Sequence, residues 1–159
     1  MMRRFQNSFS RFVLNIPAGV LSGLVFWTIL WLTLAPHPLP EEDLPMFPGM
    51  DKVAHACMFG GFYFIMVLDS VTWRFAKCVK RSEQLPAAMV VNVPKMLVVI
   101  FAVASCALGG VIEIVQDAMN MGRGGDIFDF CADVAGVALA VWLSPKVLRL
   151  MYGTRIERM

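Results

Sequence analysis

A small set of residues in this chain has the types and spacing that could do chemistry. Asp51, Lys52 and His55 stand together, with Asp51 and His55 four apart, so a helix would present both on one face. Glu113 and Gln116, three apart, would share a face of a second helix. Arg123 follows in the stretch Gly122-Arg123-Gly124-Gly125. Asp126, Asp129 and Asp133 then fall at i, i+3 and i+7, one stripe of a third helix. Carboxylates with one imidazole can move protons. Oxygen ligands with a single His also suit a divalent cation such as Mg²⁺ or Mn²⁺ better than a thiolate metal. Arg123, beside a helix N-terminus, has the setting of a phosphate cradle. The five acids face only Lys52 and Arg123, with His55 able to add one more cation. The surplus negative charge calls for a metal or for protonation.

Each of these residues also has a plain structural reading. Asp51 and Asp126 serve equally well as helix N-caps. Lys52 alone would snorkel to the surface, a lone His more often hydrogen-bonds between helices, and Arg123 could hold a lipid phosphate. Glu113 and Asp133 are harder to dismiss, because neither is a cap and both lie too deep for free solvation. Each needs a partner, a proton or a cation. The chain has no HExxH. Its four cysteines (Cys57, Cys78, Cys106 and Cys131) have no CxxC spacing and read as small hydrophobes, giving neither a disulfide nor a zinc–cysteine site.

The elements that must position these groups are membrane helices. Hydrophobic residues make up 58% of the chain, charged residues 16%, and mean hydropathy is +0.65. A soluble domain is usually about 45–50% apolar and about 25% charged. The excess sits in long runs, which predicts an all-α membrane protein. It would be a four-transmembrane-helix bundle, one domain over 1–159, with helices about 12–34, 51–71, 95–116 and 126–143. The first run is longer than a signal-peptide core of about 7–15 residues and reads as a retained helix. Between the helices lie a proline-rich loop over 36–50, a basic connection over 74–94 and a glycine-rich loop over 119–125; Pro145 follows the fourth helix. With both termini inside, only Lys52 and Arg123 among the fourteen Lys and Arg fall outside, so the expected orientation is N-in, C-in. All of the candidate residues then meet at the outer end. Gly60, Gly61, Gly109, Gly110 and Gly136 would let helices approach closely there. A net charge of +2 and the absence of nucleic-acid motifs argue against a nucleic-acid partner.

In that order the motifs resemble a known family. Asp51-Lys52-Val53-Ala54-His55 resembles the DKxxH opening of the VanZ-like family of small membrane proteins. Glu113-Ile114-Val115-Gln116 is similar to its ExxQ, and Arg123-Gly124-Gly125-Asp126-Ile127-Phe128-Asp129 to its RxxDxxD. Gly136 matches the glycine that follows, and the resemblance spans about 51–143. Ala56 stands where the family commonly has an aromatic residue, and Asp133 where it has Asn. The resemblance implies a multi-pass protein of the cytoplasmic (inner) membrane tied to the cell envelope. The family is named for a member associated with resistance to the glycopeptide teicoplanin. The expected partners are membrane lipids and a lipid-linked or phosphate-bearing envelope precursor or a glycopeptide, with enzyme against binder left open. An ion- or proton-coupled transporter and a non-catalytic accessory subunit are the alternatives. His55, Glu113, Arg123 and Asp129 are expected in one pocket, with Arg123 as the partner of Glu113.

Overall fold

The computed structural model describes residues 16–35, 47–81, 92–119 and 125–156. These form four α-helices, α1 (Val20–Leu34), α2 (Met50–Arg81), α3 (Lys95–Met119) and α4 (Ile127–Ile156), with no strand among the described residues. Three of the four are long and apolar enough to cross a membrane, over Met50–Arg74, Lys95–Met119 and Ile127–Met151. Each stretch of 25 residues is about 37 Å long, against a hydrocarbon thickness of about 30 Å. Their outward faces carry bare apolar side chains, among them Met96, Val103 and Ile114 on α3 and Phe128, Leu139 and Trp142 on α4.

The helix ends differ from the sequence reading in instructive ways. A first helix from about residue 12 is not continuous, because residues 16–19 lie in a bend and turn and α1 begins only at Val20. Pro17 and the left-handed Gly19 (φ 86°) set that start. The 15 residues of α1 are about 22 Å long. It stops at Ala35, whose extended backbone (ψ 137°) is what a residue before proline prefers. α2 runs on past the expected end at 71 to Arg81, and Lys77 lies over the Trp73 ring at 4.9 Å. α3 extends three residues beyond Gln116. α4 passes straight through Pro145, where an end near 143 was expected. The proline ring leaves the Val141 carbonyl without its helical donor, and the Ser144 hydroxyl donates to that same carbonyl at 3.4 Å. The helix then continues far enough to bury Leu148.

α2 is the central element and packs most extensively on α4. Phe59, Phe62, Tyr63, Val67 and Val71 of α2 make the core with Ile29, Ile112, Val137 and Leu148. The α2–α4 crossing is backbone on backbone. A Cβ on Gly60 would stand 2.7 Å from the Gly136 carbonyl oxygen, and one on Gly136 would run into the Ala56 carbonyl. The expectation of close approach therefore holds at Gly60 and Gly136. At Gly110 the neighbour is the Phe130 ring, at 3.3 Å from such a Cβ. Gly61 is the exception: it faces open space, on the outer side of α2, so nothing packs against it.

α1 is fastened at both ends by buried polar groups of other helices. At its start the Ser22 N–H and hydroxyl both donate to Asp69 Oδ2, at 2.9 and 2.6 Å. This puts a carboxylate on the unsatisfied donors of a helix N-terminus. At its end the Thr33 carbonyl accepts a bond of 2.9 Å from Gln116 Nε2 of α3. Helices consecutive in the chain thus run in alternating directions, and the packed pair α2 and α4 runs parallel. The N-termini of α2 and α4 and the C-termini of α1 and α3 share one end.

Gly136→Leu should prevent the α2–α4 contact, because the obstruction is backbone that cannot rotate away. Overfilling a packed core usually costs about 1–3 kcal/mol where side chains can yield, so loss of folded protein is the expected result. Gly61→Ala should leave the thermal midpoint in detergent unchanged or slightly raised. Equal tolerance of the two substitutions would disprove the close crossing.

Candidate functional site

At the shared end the polar residues form two tiers. The tiers lie one helical turn apart, since His55 follows Lys52 by three residues and Asp133 follows Asp129 by four. The upper tier is centred on a cation. Lys52 Nζ donates to Asp51 at 2.9 Å, to Asp126 at 3.1 Å and to Asp129 at 2.9 Å. These three carboxylate side chains are 56, 38 and 16% exposed, so the tier opens to the outside of the bundle. Asp126 also caps α4, its Oδ1 accepting the Phe128 N–H at 2.9 Å. That N–H first, and the Lys52 ammonium with it, hold the Asp126 carboxyl below the usual carboxylate range. The link is therefore present at neutral pH and is lost only as the solution is acidified through that lowered value. Asp51 lies inside the first turn of α2 and is no cap.

The lower tier is closed. Its side chains, His55, Glu113 and Asp133, are 11, 10 and 0% exposed. His55 Nδ1 stands 3.0 Å from Asp133 Oδ1 and 3.7 Å from Glu113 Oε1. The His55 ring is stacked beside Phe59, inclined by 29°, with ring centroids 6.1 Å apart. Glu113 Oε2 accepts the Asp126 N–H at 2.8 Å, joining α3 to the start of α4. Glu113 Oε1 and Asp133 Oδ2 are buried with no hydrogen-bond partner among the described residues. Asp133 reaches this depth because α3 has no side chain opposite it: a Cβ on Gly109 would collide with Oδ2.

No family model, curated protein or solved structure matches this chain.

Of the expected residues, Asp51, Lys52, Asp126 and Asp129 meet in the upper tier, and His55, Glu113 and Asp133 in the lower. Arg123, the expected partner of Glu113, lies outside the described residues. Gln116 is on the expected helix face and buried, but its amide is used on the Thr33 carbonyl, so it holds α1 in place. Lys52 is already surrounded by three carboxylates, which makes it an anchor for acids and a poor receptor for phosphate. Asp69, near the far end of α2, holds Ser22 and is not among the residues that spacing singles out. Its signal was Ser22, another polar residue in an apolar run, at a helix start that Gly19 marks.

Lys52→Met should leave three carboxylates facing one another at the mouth. The expected result is a lower thermal midpoint in detergent that rises again with molar salt, as screening relieves the repulsion. A midpoint that is both unchanged and insensitive to salt would show that the three acids are solvated independently.

Proposed function

We propose that this chain is a four-span, N-in/C-in protein of the cytoplasmic membrane, of VanZ-like type. In this reading its outer-face polar pocket binds or acts on a lipid-linked or phosphate-bearing envelope component. The single observation that carries the reading is the convergence of the tiers. α2, α3 and α4 each bring ionisable groups to one end, graded from an exposed mouth to a closed floor. Ionisable groups in membrane helices are costly, about 2.5–3.5 kcal/mol each at the centre and less toward the ends, where only the closed floor is cut off from solvent. A cluster spanning three helices is better explained by a ligand than by packing. The ordered motifs from Asp51 to Asp129 support the family and, through it, the link to the envelope and to teicoplanin. The excess of Lys and Arg in the segments expected inside supports the orientation.

The tiers also bear on chemistry. With Lys52 engaged, an anionic ligand at this mouth must bring or find another cation, and Arg123 is the residue in sequence best suited to supply one. A transporter is the weaker reading. Below the floor the described interior holds only neutral groups, Phe62, Val67, Ile112 and Val137 with the hydroxyls of Tyr63, Ser105 and Ser144, and the next buried acid, Asp69, is occupied by Ser22. A permeation path needs polar stations across the bilayer.

Two measurements test this. Cysteine probes at Glu42 and Gly124, in a chain with its own cysteines replaced, should react with an impermeant reagent in intact cells, and probes at Arg81 and Arg155 should not. The reverse pattern would move the pocket to the cytoplasm and end the envelope reading. Expression in a glycopeptide-sensitive bacterium should change teicoplanin susceptibility, and Glu113→Gln should abolish the change with membrane levels of the protein preserved. A full effect from Glu113→Gln would remove Glu113 from the function.

A further inference from the structure

The two tiers pose the same electrostatic problem, and the described residues solve it only once. At the mouth, three carboxylates are gathered on the Lys52 ammonium. At the floor, two carboxylates and an imidazole converge with no Lys or Arg among the described residues to balance them. One oxygen of each acid, Glu113 Oε1 and Asp133 Oδ2, lacks a hydrogen-bond partner there. A buried carboxylate oxygen without a partner is strongly unfavourable. A proton on His55 would cancel one of the two negative charges, and one would remain.

The geometry points to a divalent metal ion bound by His55, Glu113 and Asp133. A donor atom from each of the three residues lies within 4.8 Å of the other two. His55 Nδ1 is already 3.0 and 3.7 Å from one oxygen of each carboxylate. Ligands about 2.1 Å from one ion stand about 3.0 Å apart at an octahedral edge and about 3.4 Å apart at a tetrahedral one. Both His55 separations are within about 0.7 Å of these edges, and the two carboxylate oxygens, within 4.8 Å of each other, would draw together around the ion. Two carboxylates and a neutral imidazole cancel a charge of +2, so the closed floor becomes neutral. Nδ1 would exchange its hydrogen bond to Asp133 for the metal, with the ring hydrogen on Nε2. One imidazole with two carboxylates suits Mn²⁺ or Zn²⁺. A larger ion with many oxygen ligands, such as Ca²⁺, fits poorly. Gly109 is part of the site, because its missing side chain is what admits Asp133. The site stands on these side chains alone and does not depend on which envelope component the mouth receives.

The test uses the full-length chain purified in detergent, stripped with a chelator and re-equilibrated with Mn²⁺ or Zn²⁺. Elemental analysis after gel filtration should find one equivalent per chain. Pulsed electron paramagnetic resonance of the Mn²⁺ form should show coupling to an imidazole ¹⁴N. His55→Ala, Glu113→Gln and Asp133→Asn should each weaken binding at least tenfold, as even loss of a supporting group commonly does. Asp69→Asn, at the opposite end, should lower stability and keep the full equivalent. Absence of bound metal in the unmodified protein would overturn the proposal, and would be the result if a proton or the Arg123 guanidinium balanced the floor instead. Bound Mn²⁺ without ¹⁴N coupling would overturn it too, assigning the ion to the acids of the mouth. The ¹⁴N measurement needs no variant, so it decides even if all three ligand substitutions prevent folding. A failure of lipid or glycopeptide assays leaves every one of these readings unchanged.

Discussion

Gly136 lies against the Ala56 carbonyl with no space for a side chain, and Gly60 faces the Gly136 carbonyl in return. This backbone contact between α2 and α4 sets the distance on which the polar end depends. Between membrane helices the surrounding lipid is as apolar as leucine, so close packing and interhelical hydrogen bonds drive association in place of a hydrophobic effect. With the two axes held that close, residues one turn above Phe59 and Val137 meet across the seam. His55 then lies at hydrogen-bonding distance from Asp133. Had either glycine carried even a methyl group, the helices would separate and both tiers would come apart.

α3 enters this pair from the side, and a third glycine governs how. Gly109 leaves room for the Asp133 carboxylate, and one turn further on Glu113 reaches across to the first backbone donor before α4. One residue thus does two jobs. Its Oε2 fastens the α3–α4 corner, and its Oε1 turns to His55. The mouth is built differently, from exposed groups around one flexible lysine. A mouth of solvated ion pairs can rearrange around a visiting molecule, whereas the floor is held by packing. That division of labour is common where a rigid base must be kept at a fixed position below an adaptable entrance.

Much of this was legible from spacing. The i, i+4 and i, i+3, i+7 intervals placed Asp51, His55, Glu113, Asp129 and Asp133 on the right helices and at one end. Periodicity and helix ends are local properties, and the sequence carries them directly. Pairing across helices is not local. That Lys52 would take three acids, and that Gln116 would turn away toward Thr33, depends on crossing angles that no single segment encodes. Helix ends depart from the sequence rule where packing carries a helix on. Proline ordinarily ends a helix, but α4 continues through Pro145 far enough to bury Leu148, with only a long contact from Ser144 to the stranded carbonyl. The long continuation of α2 was hidden because its last turns are basic and read as a connection. Among the glycines, the sequence could not separate Gly61, which faces outward, from Gly60, one residue earlier and fully enclosed.

The two fastenings of α1 have a mechanical consequence. Asp69 grips its N-terminal donors and Gln116 its C-terminal acceptor, from two different helices and at opposite ends. A helix held at one end can slide or pivot; one held at both can do neither without breaking a buried bond. Bilayers differ in thickness, and membrane helices commonly answer hydrophobic mismatch by tilting individually. Here α1 is denied that freedom and must follow α2 and α3. In a bilayer spanned by these helices, a change in thickness would therefore tilt α1 together with α2 and α3, and the end of α1 beside Gln116 would keep its place at the polar end.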